Sequence, residues 1–459
     1  MTTSTSQNTH ETDTANNASY TTISTILTLA IPTFGQLIAE PAFVLIDTAI
    51  VGHIGGQALA GLSVGSTIVL TVVGLCVFLA YSTTSQVGRL LGAGKRREGL
   101  EAGIDGLWLA GIIGVVVSVV LFVIARPLCM AMGAQGSVLH NAVDYVRAVV
   151  FGIPGMLLVY AANGIFRGLQ KVRITLVAAT LGAILNTLLD LLFILGFGWG
   201  VFGSGMATLI SQWFMAVLLI VPAVLWTRAE GARLRPRLSG VLNSAGDGAV
   251  LFLRTLALRA CLVANVVLAT HMGVEVLAAY QVVNSSWNFV LNMLDAIGIA
   301  GQTLVAAQIG ARQEDEAMRL TRIAGKAGLC GGTVIGIGLM IAGWCASPLF
   351  SQSIEIQHLL TVGMVVVGVT LPLAGWMWAV DGILIGAGDY RYLALTCTAT
   401  AAIYVPCLAA IGWICDAMQA SSALRMVLLW LAVNLLFVGL RAIFNGFRIG
   451  TSTWLHIAH

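Results

Sequence analysis

The sequence predicts an all-α integral membrane protein with twelve transmembrane helices in two pseudo-symmetric six-helix bundles. Three observations carry that prediction. Of the 459 residues, 58% are apolar and 9% charged, against about 25% charged in an ordinary soluble globular chain. Apolar runs long enough to cross a hydrocarbon core of about 30 Å recur along the whole chain. One register, offset by 218 residues, relates the first half to the second.

The apolar runs fall at roughly 22–50, 58–86, 101–126, 141–165, 173–197, 203–227, 243–270, 277–305, 322–346, 359–386, 393–415 and 422–446. Each is bounded by Gly, Pro or charged residues, and each is expected to be one spanning helix. Met1 to Tyr20 is a Thr/Ser/Asn segment without lysine or arginine, so the first helix is expected to act as the insertion signal rather than a cleaved leader. Of the 23 basic residues, eighteen follow even-numbered spans, in groups such as Arg89, Lys95, Arg96 and Arg97 or Arg228, Arg233, Arg235 and Arg237; Arg441 and Arg448 near the end belong to the same set. The loops after spans 1, 5, 7 and 9 contain none. Positive charge stays on the cytoplasmic side, so both termini are expected to be cytoplasmic in a multi-pass protein of the cell membrane.

The repeat organises the chain. His53 aligns with His271, Leu59-Ala60 with Leu277-Ala278, Gly92-Ala93 with Gly310-Ala311, Pro154 with Pro372, Gly164-Ile165 with Gly382-Ile383, and Gly168 with Gly386. An even number of spans per repeat relates the halves by an axis along the membrane normal, as in transporters whose two lobes rock about a central site. The expected organisation is a disordered cytoplasmic tail (1–20), an N-lobe (21–228), a cytoplasmic linker (229–242), a C-lobe (243–447) and a cytoplasmic C-terminal tail (448–459).

Several function classes drop out. A net charge of +3 over this length suggests no nucleic-acid partner. No GxxxxGK[ST] loop is present, so ATP is not expected to drive a cycle. The eight cysteines lie mostly in apolar stretches, form no CxxC or Cys/His cluster, and read as buried small hydrophobes. With no metal-ligand or nucleophile constellation, an enzyme is not expected, and neither is a cofactor beyond H⁺ or Na⁺ as a coupling ion.

A charge in hydrocarbon costs about 2.5–3.5 kcal/mol even on lenient scales, so each needs a partner, water or a function. The first span holds Glu40 and Asp47, seven apart and so on one helical face. Pro32 and Pro41 remove backbone hydrogen bonds from that span and mark hinge points. The fifth span holds Asn186 and Asp190, also on one face. Burial and like charge both oppose ionisation, which suits such a group to proton exchange near physiological pH. Two other uses stay open: a Na⁺ site with oxygen ligands from Asp47, Asn186 and Asp190, and plain interhelical hydrogen bonding. The repeat sends Asp47 to Asn265 and Asp190 to Leu408, so the acids do not serve a need shared by both halves. The second half has its own set, Arg254, Arg259, Asp295 and Asp381, in which the arginines either neutralise the acids or take part in substrate or proton transfer. Trp287, Met293, Trp376, Met377 and Trp378 are candidates for an aromatic and sulfur-lined surface toward flat or lipophilic cations.

At these residues the chain resembles the multidrug and toxic compound extrusion (MATE) transporters. LAIPTFGQLIAEPAFVLIDTAIVGHIGGQALAGLSV (Leu29 to Val64) is similar to the family's first two helices, with an EP…DTA.VGH.G pattern like that of its DinF-type branch. GIFRGLQKVRITLVAATLGAILNTLLDLLFI (Gly164 to Ile194) resembles the fifth-helix signature. The resemblance covers nearly the whole chain. It implies a V-shaped molecule that exports small organic compounds in exchange for H⁺ or Na⁺, with Asp47, Asn186 and Asp190 as first-lobe cation-site residues and Glu40 as the DinF-branch addition. Organic, cationic or lipophilic substrates, the lipid bilayer as solvent and a functional monomer are the expected partners and state. A lipid-linked-precursor flippase of the same superfamily is the rival; the spans hold five acids against two arginines, whereas such flippases carry a strongly basic cavity.

Overall fold

The computed structural model describes the backbone of residues 5–457 and the side chains of residues 24–457 other than 40 and 43. Among the described residues it is helical without strands, and twelve helices are long and apolar enough to cross a membrane. In chain order these are α1 (Ser24–Gly52), α2 (Gly56–Gly92), α3 (Arg96–Ala131), α4 (Gly136–Gly168), α5 (Val172–Gly196), α6 (Gly200–Ala229), α7 (Leu238–His271), α8 (Val274–Gly310), α9 (Glu314–Phe350), α10 (Ile354–Ala387), α11 (Tyr390–Ala417) and α12 (Ser422–Gly450). The twelve expected spans are all present. In lipid every backbone polar group must be satisfied within its own segment, which leaves helices as the available solution for these runs.

The first helix begins earlier than expected: it continues back to Thr5 through most of the segment read as a disordered tail, because a nucleated helix propagates at little cost per residue. It also runs unbroken through Pro32 and Pro41. The expected linker is shorter than 229–242, since α6 ends at Ala229 and α7 begins at Leu238. The turn after α10 shows how these helices stop. Gly388 takes φ 85°, a left-handed conformation open to glycine at little cost, and its amide closes onto Ile385 O.

The chain forms two compact units. One covers Pro32–Phe252; the other covers Leu253–His459 together with the part of α1 before Pro32. The division thus falls inside α7 and not in the connection before it. The first turns of α7 are tied to the first unit: Gln86 Nε2 donates to Asp247 Oδ2 at 3.1 Å and Ser244 Oγ donates to Gln86 Oε1 at 3.3 Å.

Within each unit the same interhelical contacts recur 218 residues apart. A Cβ placed on Gly114 of α3 would lie 2.6 Å from Pro154 Cα of α4, and one on Gly332 of α9 would lie 3.0 Å from Pro372 Cα of α10. Likewise a Cβ on Gly168 would lie 3.0 Å from Thr84 O, and one on Gly386 would lie 2.5 Å from Gln302 O. Small residues that let backbones touch are the usual means of helix association in lipid, where no hydrophobic force separates helix from tail. The repeat seen in sequence is therefore a repeat of packing, in which α2, α3 and α4 correspond to α8, α9 and α10.

In the first unit the connection from α6 to α7 is clamped onto α3. Glu101 Oε1 accepts from Arg233 N at 3.1 Å, Asp105 Oδ1 accepts from Arg237 N at 2.9 Å, and Trp108 Nε1 donates to Leu234 O at 3.2 Å. These three side chains share one face of α3. In the second unit the segment expected as a C-terminal tail is packed. Trp454 and Leu455 are buried, and Arg448 Nε pairs with Asp389 Oδ2 at 2.5 Å over the ring of Tyr392. Burial of Trp454 and Leu455 and the bonds of Arg448 to Asp389 and Thr453 act together against the entropy of ordering this segment.

Candidate functional site

Two of the helices singled out by their acids meet in the first unit. Asp47 on α1, Tyr145 on α4, Asn186 on α5 and Thr208, Ser211 and Gln212 on α6 line one cavity, closed by apolar residues of α1, α2 and α4 such as Val44, Leu62 and Met156. Asp47 is 6% exposed, Asn186 3% and Asp190 0%. Ser204 of α6 lies against the Asp47 carboxylate. Asn186, with its amide turned to face its partners, donates from Nδ2 to Asp190 Oδ2 at 3.2 Å and accepts at Oδ1 from Thr208 N at 3.3 Å. Tyr145 lies within electrostatic reach of both carboxylates and bonds to Thr208. Directly after Asp190 the helix widens into a π-helical stretch, Leu191–Gly196, a local strain that gathers at functional positions.

Neither Asp47 nor Asp190 forms an ion pair among the described residues, and one oxygen of each is buried without a hydrogen-bond donor. A desolvated carboxylate without a counter-charge is costly to keep bare. Taking up a proton, or a cation held by several oxygens, relieves that cost, so the arrangement is suited to cation exchange. Glu40 belongs to the same helix, but its side chain lies outside the described residues. Of the hinge candidates, Pro32 marks the unit boundary in α1 and Pro41 lies six residues, a little under two turns, before Asp47.

A second cavity continues from Met156 and Gln212 and is lined by Gln36, Tyr160, Asn163 and Thr175. At Gln36, Oε1 accepts from Arg167 Nη2 at 2.7 Å. These polar positions, with Tyr145, Ser204 and Thr208, are missed from sequence. A single polar residue on an otherwise apolar helix leaves no periodic signal, and only the convergence of four helices distinguishes it.

The four second-half charges do not form one group. Arg254 pairs with Asp381 Oδ2, while Asp381 Oδ1 receives Arg441 Nη2 at 3.1 Å and Asn445 Nδ2 at 3.2 Å. Arg441, counted from sequence among the cytoplasmic charges, is instead 2% exposed and lies over the rings of Trp378 and Phe437. Its aromatic cradle and its carboxylate together replace lost hydration. Arg259 is absent from this cluster and lines a separate cavity between α7 and α11. Asp295 lies on α8 near the contact of Gly298 with Trp378 O. The proposed aromatic surface is largely core: Trp287 and Met377 are buried in one cluster with Tyr280 and Trp430. Trp287 meets Trp378 edge-on at 6.3 Å.

The comparisons agree with this architecture. The family model described as MatE matches twice, over residues 32–192 and 251–411. The chain belongs to the MATE family. It is similar to Protein DETOXIFICATION 42 of Arabidopsis thaliana (25% identical, covering 81% of this chain and 70% of that protein). It is also similar to DNA damage-inducible protein F of Escherichia coli strain K12 (26% identical, covering 84% and 85%). A crystal structure of the Vibrio cholerae MATE transporter VcmN in its bent form shares the fold, with a TM-score of 0.85 at 19% identity over 96% of this chain and 99% of that one. As a MATE transporter the chain is a multi-pass membrane protein of the multidrug and toxic compound extrusion class, and not an enzyme.

Proposed function

We propose that this MATE transporter is a secondary active antiporter of the cell membrane that exports small organic, cationic or lipophilic compounds in exchange for protons. The observation that carries the reading is the pair of unneutralised, buried carboxylates of the first unit: Asp47, which lines the cavity, and Asp190, which is bonded to the cavity residue Asn186. Protonation of the cluster, with Glu40 contributing from α1, changes the charge that an organic cation meets there. Proton and substrate then compete for the same carboxylates. Coupling follows if each binds the inward- and outward-facing states with different affinity. α1, which carries Pro32 and Pro41, is the element that bends as the charge changes. The protein works as a monomer with both termini in the cytoplasm, in keeping with the basic residues that follow the even-numbered spans.

The test is efflux of a fluorescent organic cation from proteoliposomes under an imposed pH gradient or an imposed Na⁺ gradient, for the wild type and Asp47→Asn. Transport driven by the pH gradient alone and lost in the variant is the expected result. Transport driven only by Na⁺ moves the assignment to a Na⁺ site at Asp47, Asn186 and Asp190. Silence under both gradients sinks the reading in favour of a lipid-linked-precursor flippase.

A further inference from the structure

The two cavities of the first unit share Met156 and Gln212 and together form one polar lane. Side chains of α1, α2, α4, α5 and α6 surround it, so it is the interior of a helix bundle and not a groove open to lipid. One end holds Asp47 and Asn186; the other holds Gln36, Asn163 and Thr175. Along α5, Thr175 and Asn186 are eleven residues apart, about 16 Å at 1.5 Å per residue. The Thr175 end lies near the turn between α4, which ends at Gly168, and α5, which begins at Val172. Lys171 and Arg173 give that turn the basic character of a cytoplasmic end.

Each cavity has a volume of about 50 Å³. A site for an organic compound takes about 300–1,000 Å³, whereas one water takes roughly 10–15 Å³. In this conformation the lane therefore fits a few waters and not an organic compound. Its walls also call for them. Asp47 Oδ1, Ser211 Oγ and Asn163 Oδ1 are buried along the lane without a hydrogen-bond partner among the described residues, and Asn163 is 3% exposed. Buried polar atoms left over by the protein are ordinarily satisfied by water.

At the Gln36 end stands Arg167, buried, with Nη2 donating to Gln36 Oε1 at 2.7 Å. This bond ties α4 to α1, the helix that also carries Asp47. A guanidinium fixed at the mouth of a water-filled path repels protons and other cations. The repeat does not demand such a lane, because Gln36 and Asn163 correspond to Arg254 and Asp381, an ion pair in the second unit.

We propose that the lane holds a file of water that carries the proton between Asp47 and the cytoplasm, and that the Gln36–Arg167 pair is the gate at its inner end. On release, the Asp47 carboxyl gives its proton to the nearest water and becomes a carboxylate. Each water accepts one proton and passes one on, and the last delivers it to solvent. Bending of α1 moves Gln36 away from Arg167, which frees the guanidinium from the mouth of the lane and opens it. The inference rests on the antiport reading for the use made of the proton, but the gate is measured without any organic compound.

The experiment follows proton entry into proteoliposomes holding a trapped pH dye, under an imposed pH gradient with no organic compound present. The full-length wild type is compared with Gln36→Leu, Gln36→Glu and the double variant Gln36→Leu, Asn163→Leu, and pH-driven efflux of a fluorescent organic cation is measured on the same preparations. Gln36→Leu releases Arg167 and should raise proton entry at least about fivefold over the wild type. Gln36→Glu keeps an acceptor for Arg167 and should stay close to the wild type. The double variant should also return to the wild-type rate, because Asn163→Leu puts an apolar side chain into the file. Unchanged entry in Gln36→Leu overturns the gate, and so does an equal leak in Gln36→Glu, which loosened helix packing would explain. A leak that Asn163→Leu does not stop overturns the file. If the wild type shows no pH-driven efflux while the variants leak as expected, the antiport reading falls and the file stands. Normal pH-driven efflux with no leak in any variant sinks the inference and leaves that reading intact.

Discussion

Tyr404 donates a hydrogen bond to Asn265 Oδ1 in the second unit, and the two residues stand 218 positions beyond Asn186 and Asp47. The pair of positions that lines the acidic cavity in one unit is thus a closed, uncharged contact in the other. Asp190 is matched by Leu408. The reverse holds at a second pair of positions. Gln36 and Asn163 line a neutral polar cavity in the first unit, and their counterparts Arg254 and Asp381 form the buried ion pair of the second. One scaffold carries a titratable site and a fixed-charge site at non-equivalent places.

The Tyr404–Asn265 bond is expected to be structural. Interhelical hydrogen bonds in membranes contribute about 0.6–2 kcal/mol, so Tyr404→Phe should lower thermal stability in detergent by about 1 kcal/mol. Initial rates of gradient-driven cation efflux should stay within about twofold of the wild type. A loss of coupling in this variant would show that the second unit shares the proton pathway.

Asn186 is expected to matter for function more than for folding. It orients Asp190 from one side while its own carbonyl is held by Thr208 N. In Asn186→Ala the carboxylate loses its positioned donor, and efflux in everted vesicles should fall at least tenfold with normal membrane abundance. Asn186→Gln, which keeps the amide on a longer stem, should recover little of it, because the donor no longer meets Asp190 Oδ2.

The charged cluster of the second unit gives a different signature. Removing one member of a buried ion pair costs about 3–5 kcal/mol, because the partner is left charged and desolvated. Asp381→Leu strands Arg254 and Arg441 together and should sharply reduce membrane abundance. The triple change Asp381→Leu, Arg254→Met, Arg441→Leu should recover much of the loss. Abundance and thermal unfolding of the purified variants read this out, and a triple variant as unstable as the single one would contradict it.

Most of the architecture was legible in the sequence because hydrophobic length and the 218-residue register report directly on spanning helices and on packing. Asp47 and Asp190 stood out because an acid in an apolar run is costly and so conspicuous, and Asn186 because it shares a helical face with Asp190. The partners did not. Arg441 read as a cytoplasmic charge, because it lies near the end of the last span and nothing in the sequence shows that α12 turns it onto Asp381. Tyr145 and Thr208 carry no charge to draw attention, and Arg259 looked equivalent to Arg254, five residues earlier. Five residues are about 500° of helix rotation, or 140° past a full turn at 3.6 residues per turn, so the two arginines face different neighbours. The packing of the C-terminal segment is not legible for a related reason: polar composition argues against a core, yet Trp454 is buried.

The repeated glycine contacts allow a paired test of the symmetry. An alanine at Gly114 would bring a methyl to 2.6 Å from Pro154 Cα, and one at Gly332 would meet Leu371 O and Pro372 Cα at 2.5 and 3.0 Å. Backbone cannot yield as a flexible side chain does, so each substitution must separate two helices, at a cost of about 1–3 kcal/mol for overpacking. Gly114→Ala and Gly332→Ala should therefore lower thermal stability by similar amounts, whereas Gly338→Ala, where nothing lies within 4 Å, should be neutral or slightly stabilising through improved helix propensity. Because the two sites lie in separate units, the double variant should lose the sum of the single effects to within about 0.5 kcal/mol. A double variant no less stable than either single one would mean that the two contacts relieve a common strain, and the units would then have to be treated as one cooperative body.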